Sequence, residues 1–325
     1  MSHYVPSWHR DGKPATEQVV AAALAGAVSA VVLVVLSLFT SAAYGWVSFV
    51  VSPILIGFVS TVKLNGRVTY DLRWSVLATV LAELFAALVL LVFAIEGLIC
   101  VVMASPLAFG LGLAGTGMGR IITHRRADPL RTWIVLFLGL PLLLGAESRF
   151  DSVPPLRRVV SVVEIDAPPD VVWPRVIALD ELPPPSELAF RLGIAYPIRA
   201  RLEGRGVGAT RYCEFSTGPF VEPITAWEPG RRLAFDVARQ PDSMRELSPY
   251  PEIHPAHLQS GLVFRRGEFL LTELPGGRTR LEGTTWYELH LAPAPYWALW
   301  SDALIHVIHG RVLRHIETLS ETEAG

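Results

Sequence analysis

The feature that most constrains this chain is a series of long apolar runs that stops near residue 148. A helix needs about 20 apolar residues to cross a bilayer. Residues 18–40, QVVAAALAGAVSAVVLVVLSLFT, meet that length without a charge. Residues 46–62 form a shorter run broken by Pro53. Residues 74–119 are too long for one crossing and suit two, 74–95 and 98–119, with a turn at Glu96 and Gly97. Residues 132–146, TWIVLFLGLPLLLGA, form a fifth and weaker run of 15 residues. The first run is long for the apolar core of a signal peptide. Residues 1–150 are therefore expected to form an all-α transmembrane region of about five helices. Pro53, Pro106 and Pro141 are expected to kink theirs, which membrane packing tolerates.

Basic residues alternate across these runs. Arg10 and Lys13 precede the first; Lys63, Arg67 and Arg73 lie between the second and third; Arg120, Arg125, Arg126 and Arg131 lie between the fourth and fifth. The other two connections, near 41–45 and 96–98, carry no Lys or Arg. This pattern orients the N-terminus to the cytoplasm, and Trp46, Trp74 and Trp133 sit at run ends, where interfacial aromatics belong. With five crossings the C-terminal half lies outside the cytoplasm. If 132–146 lies along the interface, that half faces the cytoplasm instead. An integral protein of a bacterial inner (plasma) membrane fits the pattern.

Glu83 stands mid-run, and an ionisable group at that depth is a functional hypothesis by default. A proton or ion pathway needs several such groups. The plainer reading is a protonated carboxyl that ties helices together, with Ser29 or Ser52 as hydrogen-bonding partner. The glycines of GLGLAGTGMG, 110–119, imitate a phosphate loop. Their place within an apolar run points instead to close helix packing.

Composition changes after residue 150. The first 150 residues hold 10 Lys and Arg against 7 Asp and Glu, and the rest hold 18 against 23. An acidic second half argues against a nucleic-acid partner, which needs a basic surface. The two cysteines, Cys100 and Cys213, lie in different halves, so neither a disulfide within one domain nor a cysteine metal cluster forms.

The second half opens on VVSVVEI, 159–165, a β-branched run that reads as a strand. Pro168 and Pro169 suit a helix start, with Asp170 in its first turn. Val172, Trp173, Val176 and Ile177 then form an apolar stripe. LPPPSELAF, 182–190, ends that helix and begins a short second one. Turn signals at 203–208, 228–232 and 274–279 separate strand-like runs at 197–203, 208–216, 221–228, 232–239, 261–273 and 278–291. Six strands in a row joined by short turns make an antiparallel meander. A last helix over 293–324 repeats apolar residues every three or four positions at Trp297, Trp300, Leu304, Ile308, Val312, Ile316 and Leu319.

This order, with IDAPPDVVWPRV before the meander and the EPGRRLAF hairpin within it, resembles the START-like superfamily, also called SRPBCC. Polyketide cyclases and dehydrases, lipid-transport domains and birch-pollen-allergen-like proteins belong to it. The resemblance covers about 158–322 and leaves out the spans. It implies an α+β helix-grip domain over 151–325, an antiparallel sheet wrapped around a long C-terminal helix. It also implies a deep apolar cavity for a lipid, sterol-like or polyketide-like ligand. The superfamily has no universal catalytic residues, so none is carried over.

The aromatic stock fits a mostly apolar pocket with a few polar anchors. The candidates for its lining are Trp173, Phe190, Tyr212, Phe235, Phe264, Trp286, Tyr287, Trp297, Trp300, Leu304 and Ile308; any one of them also suits a plain core. Arg211, Arg265 and Arg266 are candidate partners for an anionic head group, or surface residues. The stretch PDSMRELSPYPEIHPAHLQS, 241–260, is long for a compact domain. Its Met244, Tyr250, His254 and His257 are candidates for a lid or a membrane-touching flap. His254 and His257 alone make a poor metal site, since zinc needs further ligands, and His306 and His309 on the last helix join them only if the loop folds onto that helix. No metal and no cofactor are expected. In 279–291 the more apolar face, with Thr279, Leu281, Thr285, Tyr287 and Leu289, is the expected interior. That leaves Glu282 and Glu288 outside. The expected function is membrane-anchored binding or transport of a hydrophobic ligand, with the bilayer and a lipid-like small molecule as partners. Two alternatives stand beside it: a cyclase or dehydratase with an acid or base inside the cavity, and a regulatory membrane protein that senses a ligand.

Overall fold

A computed structural model describes residues 12–41, 45–66, 68–124, 154–250, 253, 255 and 257–325. The fifth apolar run and His254 lie outside the described residues. The chain divides into two compact units, the first built on residues up to Ser152 and the second on Val153–Leu247 and Ala256–Gly325.

The described residues of the first unit form helices. Helix α1 spans Thr16–Ser41, α2 Ser52–Asn65, α3 Leu72–Val92 and α4 Leu98–His124. These four stretches, with the turn before α2 counted in, are long and apolar enough to cross a membrane. Pro53 does break its run, at the start of α2. Its ring has no N–H to donate and crowds the carbonyl one turn back. The preceding turn, Val47–Val51, widens to a π-helix, and the Ser52 hydroxyl donates to the Val47 carbonyl at 3.0 Å. Pro106 is accommodated inside α4.

Packing here runs through small residues. A Cβ on Gly57 of α2 would stand 1.9 Å from the Gly112 carbonyl oxygen of α4, and one on Gly115 would stand 2.1 Å from the Ile54 carbonyl oxygen. No side chain fits between these backbones, so the glycines of 110–119 serve close helix approach. Leu24, Val28, Val32, Leu84, Leu88 and Val102 point outward and are exposed. Glu83 is tied to neither serine named for it. Ser29 donates to its own helix at the Gly26 carbonyl and Ser52 to Val47. The Glu83 carboxyl lies against Gly112, where only a glycine leaves room, and its buried Oε1 has no hydrogen-bond partner.

The second unit is an antiparallel sheet and a long helix. Its elements are β1 (Arg157–Ile165), α5 (Pro169–Ile177), α6 (Leu188–Arg191), β2 (Pro197–Glu203), β3 (Thr210–Phe215), β4 (Gly218–Glu228), β5 (Arg232–Asp236), α7 (His257–Ser260), β6 (Leu262–Leu274), β7 (Arg278–Leu289) and α8 (Ala294–Ala324). The strand order is β1-β7-β6-β5-β4-β3-β2. Chain-consecutive strands β2 to β7 are neighbours and β1 closes the far edge, so the meander and the helix-grip arrangement are present. Gly230, and Gly276 with Gly277, take positive φ in the two tight hairpins between β4 and β5 and between β6 and β7. Helix α8 packs on β1, β7 and α5. Ile165, Val172, Val176, Leu233, Leu281, Leu313 and Ile316 are buried between these layers.

The buried line of α8 differs from the apolar line of its sequence. Trp297, Ala298, Ser301, Ile305, Arg311, Leu313, Ile316 and Ser320 are the buried positions, while Trp300, Leu304, Ile308, Val312 and Leu319 are only half-buried. The helix is turned by about one residue from the expected stripe. The polar groups on the buried side differ in what they find there: the Ser320 hydroxyl has no hydrogen-bond partner, and the Arg311 guanidinium has several. Arg311 donates to the carbonyls of Pro183 at 2.5 Å and Pro197 at 3.3 Å and lies over the rings of Phe190 and Tyr196.

Candidate functional site

Strand alternation sets which residues face α8. In β7 these are Thr279, Leu281, Gly283, Thr285, Tyr287 and Leu289. A Cβ on Gly283 would touch Leu313, and Tyr287 and Thr285 reach Asp302 and His309 of the helix. This is the apolar face expected as interior. Glu268, Glu282 and Glu288 lie on the other face in ion pairs with Arg232, Arg280 and Arg265.

Pairing carries the inner face across the sheet. Phe269 stands opposite Gly283 and Phe264 opposite Tyr287, with a bulge between Phe264 and Arg266. Leu233 and Phe235 of β5 follow, then Phe220, Glu222 and Ile224 of β4, and Arg211, Cys213 and Phe215 of β3. Gly267 leaves the place its side chain would take to the ring of Phe235, whose atoms lie 2.4 Å from where a Cβ would stand. Phe235 is buried, yet Phe264, Phe269, Phe215 and Thr285 are only half-buried although they face inward. An inward ring on a central strand that keeps some exposure borders space that the helix does not fill.

Two polar groups interrupt this apolar face. At the β3–β4 side, Arg211 and Glu222 form an ion pair, with 3% and 5% of each residue exposed. The guanidinium also lies 5.4 Å from the centre of the Phe235 ring and 5.8 Å from that of Phe269. Its Nε is buried without a hydrogen-bond partner. Burial pushes the Glu222 carboxyl upward against the pull of Arg211. It also pushes the neighbouring Cys213 thiol up to about 12, so this cysteine stays a protonated, inert thiol.

At the β1–β7 side, Tyr287 donates to Asp302 at 2.5 Å and accepts from Arg157 Nε at 3.0 Å, and Arg157 also pairs with Asp302 at 3.0 Å. Burial, then the Asp302 carboxylate, push the Tyr287 hydroxyl up to about 12. Beside it, Thr285 Oγ1 lies 2.8 Å from His309 Nε2, His309 Nδ1 lies 3.1 Å from Ser161 Oγ, and Ser161 Oγ lies 2.8 Å from His306 Nδ1. Burial, then His306, lower His309 to about 4, so its ring is neutral at neutral pH. Among the described residues no group of three His, Cys, Asp or Glu is placed to hold a metal ion.

Several expected lining residues lie elsewhere. Tyr212 and Trp286 have the opposite strand parity and face outward. Arg201 stacks on Tyr212 at 5.3 Å, and Arg266 and Arg158 lie over Trp286 at 4.9 and 6.0 Å. Arg265 and Arg266 lie on that outer side too, paired with Glu288 and Glu268. Trp173 is core and meets Trp227 edge-on, and Phe190 packs on Tyr196 under Arg311. Trp297 is buried at the start of α8. Phe235, Phe264 and Tyr287 share the inner face. The lid candidates part company. Met244 is buried and bridged to Ile194, and the chain around it is tied by Ala195 N to the Ser243 carbonyl and by Arg245 N to the Gly193 carbonyl. Tyr250 is exposed, and His257 opens α7.

No family model matches this chain, and no curated protein matches it. Solved structures do. A protein from Nitrosomonas europaea is 16% identical over 51% of this chain and 95% of its own, with TM-score 0.31. Truncated norcoclaurine synthase from Thalictrum flavum is 10% identical over 52% and 96%, with TM-score 0.34. An aromatase/cyclase from a Streptomyces species is 15% identical over 52% and 94%, with TM-score 0.30. Scores this low carry no weight for fold or function, and the fold class stands on the strand order and on α8.

Proposed function

We propose that residues 151–325 bind a hydrophobic small molecule between the sheet and α8, and that residues 1–150 hold this domain at a membrane. One observation carries the reading: Phe264 and Phe269 face inward from the middle of the sheet and remain half-buried. In a plain core those rings would be closed off, since protein interiors pack as densely as organic crystals. The buried Arg211 and Glu222, against the Phe269 ring, offer such a ligand a polar end. The resemblance to START-like and SRPBCC proteins agrees with a lipid-like or polyketide-like ligand. For the anchor, four helices with outward leucines and valines support insertion. Lys63, Arg73 and Arg120 on one set of helix ends support a cytoplasmic N-terminus. A tethered binder works at high effective concentration near a membrane source of its ligand.

Native mass spectrometry of the gently purified full chain tests this. The expected spectrum shows a discrete adduct lost on denaturation. Phe264→Trp and Phe269→Trp, which fill the space with further apolar volume, are expected to reduce the adduct while the fold persists. A bare mass in the wild type, or equal retention in both variants, would overturn the reading.

A further inference from the structure

The seam between β1, β7 and α8 contains a continuous chain of hydrogen-bonding groups from the inner face to solvent. Its members are Thr285, half-buried on the inner face, then His309, Ser161 and the exposed His306, at successive distances of 2.8, 3.1 and 2.8 Å. A hydroxyl has one proton to give, and a neutral imidazole has one donor and one acceptor nitrogen. Ser161 Oγ touches two Nδ1 atoms, so it donates to one and must accept from the other. That rule makes the chain directional and leaves two consistent patterns. In one, Thr285 donates to His309 Nε2, His309 Nδ1–H donates to Ser161, Ser161 donates to His306 Nδ1, and His306 Nε2–H faces water. In the other, every bond is reversed.

We infer that this seam is a proton relay between solvent and a ligand on the inner face, serving a ligand that carries an ionisable hydroxyl or carboxyl. The two patterns are its states before and after one transfer. A ligand O–H gives its proton to Thr285 Oγ1 as the threonine proton passes to His309 Nε2. The His309 Nδ1 proton moves to Ser161, the Ser161 proton to His306 Nδ1, and the His306 Nε2 proton to water. Each step breaks one O–H or N–H bond and forms another. The ligand is left as its anion, and all four residues end neutral. Running backwards, the relay returns the proton. The lowered basicity of His309 suits a carrier that holds no resident charge. Of the charged groups on the packed elements, Arg157 of β1 and Asp302 of α8 pair with one another beside Tyr287 of β7. The relay gives the helix-grip domain an acid–base capacity that an apolar lining lacks, as a cyclase or dehydratase step would need.

The ligand half of this inference rests on the proposed binding function, but the relay itself can be read without a ligand. The test uses the full chain in detergent micelles, labelled with nitrogen-15 at histidine and assigned with His306→Asn and His309→Asn. Long-range proton–nitrogen spectra at neutral pH are expected to show His306 and His309 as opposite neutral tautomers. Ser161→Ala is expected to abolish the tautomer preference of His306 and to slow exchange of the His309 ring proton with water. Ser161→Thr, which keeps the hydroxyl, should restore both. Identical tautomers in the wild type, or a His306 spectrum and an exchange rate unmoved by Ser161→Ala, would overturn the relay. Palmitic acid is the ligand probe. If it binds by mass spectrometry, it should shift the His309 resonances, and bound acid without a shift would overturn the assigned ligand class. If it does not bind while the tautomers are opposed, the relay stands and the lipid-binding reading is what fails.

Discussion

The buried pair of Arg211 and Glu222 makes a quantitative prediction. Both residues lie on the inner face with almost no exposure. Removing one partner strands a charge away from water, which costs about 3–5 kcal/mol, whereas replacing both with apolar residues is often neutral or stabilising. Arg211→Met and Glu222→Leu should therefore each destabilise the C-terminal unit by about 3–5 kcal/mol, and the double variant should recover most of it. Pulse proteolysis of the full chain in urea reads this through survival of the C-terminal fragment. With a urea slope of about 2 kcal/mol per M, each single variant should lower the midpoint by roughly 1.5–2.5 M. The double variant should lie near the wild type. If the pair also receives the polar end of a ligand, the double variant keeps its fold and loses the mass-spectrometric adduct. Single variants within about 1 kcal/mol of the wild type would mean that water reaches the pair, as at exposed salt bridges. A double variant as unstable as the two singles summed would mean that the residues act separately. Either result would refute the account.

Three further expectations use other parts of the same face. Gly267→Ala places a methyl 2.4 Å from the Phe235 ring; overpacking of this kind costs about 1–3 kcal/mol, read as a lower urea midpoint, and an unchanged midpoint would show that the ring moves freely. Cys213, with its thiol pushed up to about 12, should resist N-ethylmaleimide at mildly alkaline pH in a Cys100→Ser background and react only once urea unfolds the domain; fast native labelling would contradict its burial. His309 has a folded value of about 4 against 6.5 for a free imidazole, so below neutrality the unfolded chain binds a proton that the folded chain refuses. Its share of stability is intact above pH 6.5 and declines as pH falls toward 4 by roughly 3 kcal/mol. His309→Gln should flatten that part of the urea-midpoint profile, and an unchanged profile would assign the slope to other groups.

What local pattern could reveal, the sequence shows well. The four described apolar helices follow from apolar length, and the close packing at the glycines of 110–119 from their place inside a run. Strands β2 to β7 follow from turn residues at short spacing. Where the boundaries moved, long-range contacts moved them. Helix α5 stops at Ile177 because Leu179 leaves it to bridge Ala200 of β2. Strand β5 ends at Asp236 because Ala238 and Arg239 turn back to Val221 of β4. Neither partner is visible from the residues beside the break.

The inner face was harder to read, for two physical reasons. Alternation was informative where the ladder is regular. In TRYCEF the parity that buries Cys213 also buries Arg211, and in FVEPI the parity of Phe220 and Ile224 also holds Glu222. Reading parity before charge would have found the pair, whereas the habit of placing charges outside hid Glu222. In β6 parity fails. Counting by twos from Phe264 puts Phe269 on the outer face, but the bulge before Arg266 inserts one residue and brings both rings inside. No residue type marks that bulge. What marks it is Gln240, which accepts from Phe264 N at 2.8 Å and donates to the Leu262 carbonyl at 2.7 Å, holding the strand where its ladder slips. The seam is less legible still. Ser161, Thr285 and His309 come from three elements and are joined by side chains up to 148 positions apart. They meet only because α8 is turned by about one residue from its most apolar stripe. The same turn that leaves Trp300 and Leu304 half-buried carries His309 between β1 and β7, and the polar seam is what the helix gains by it.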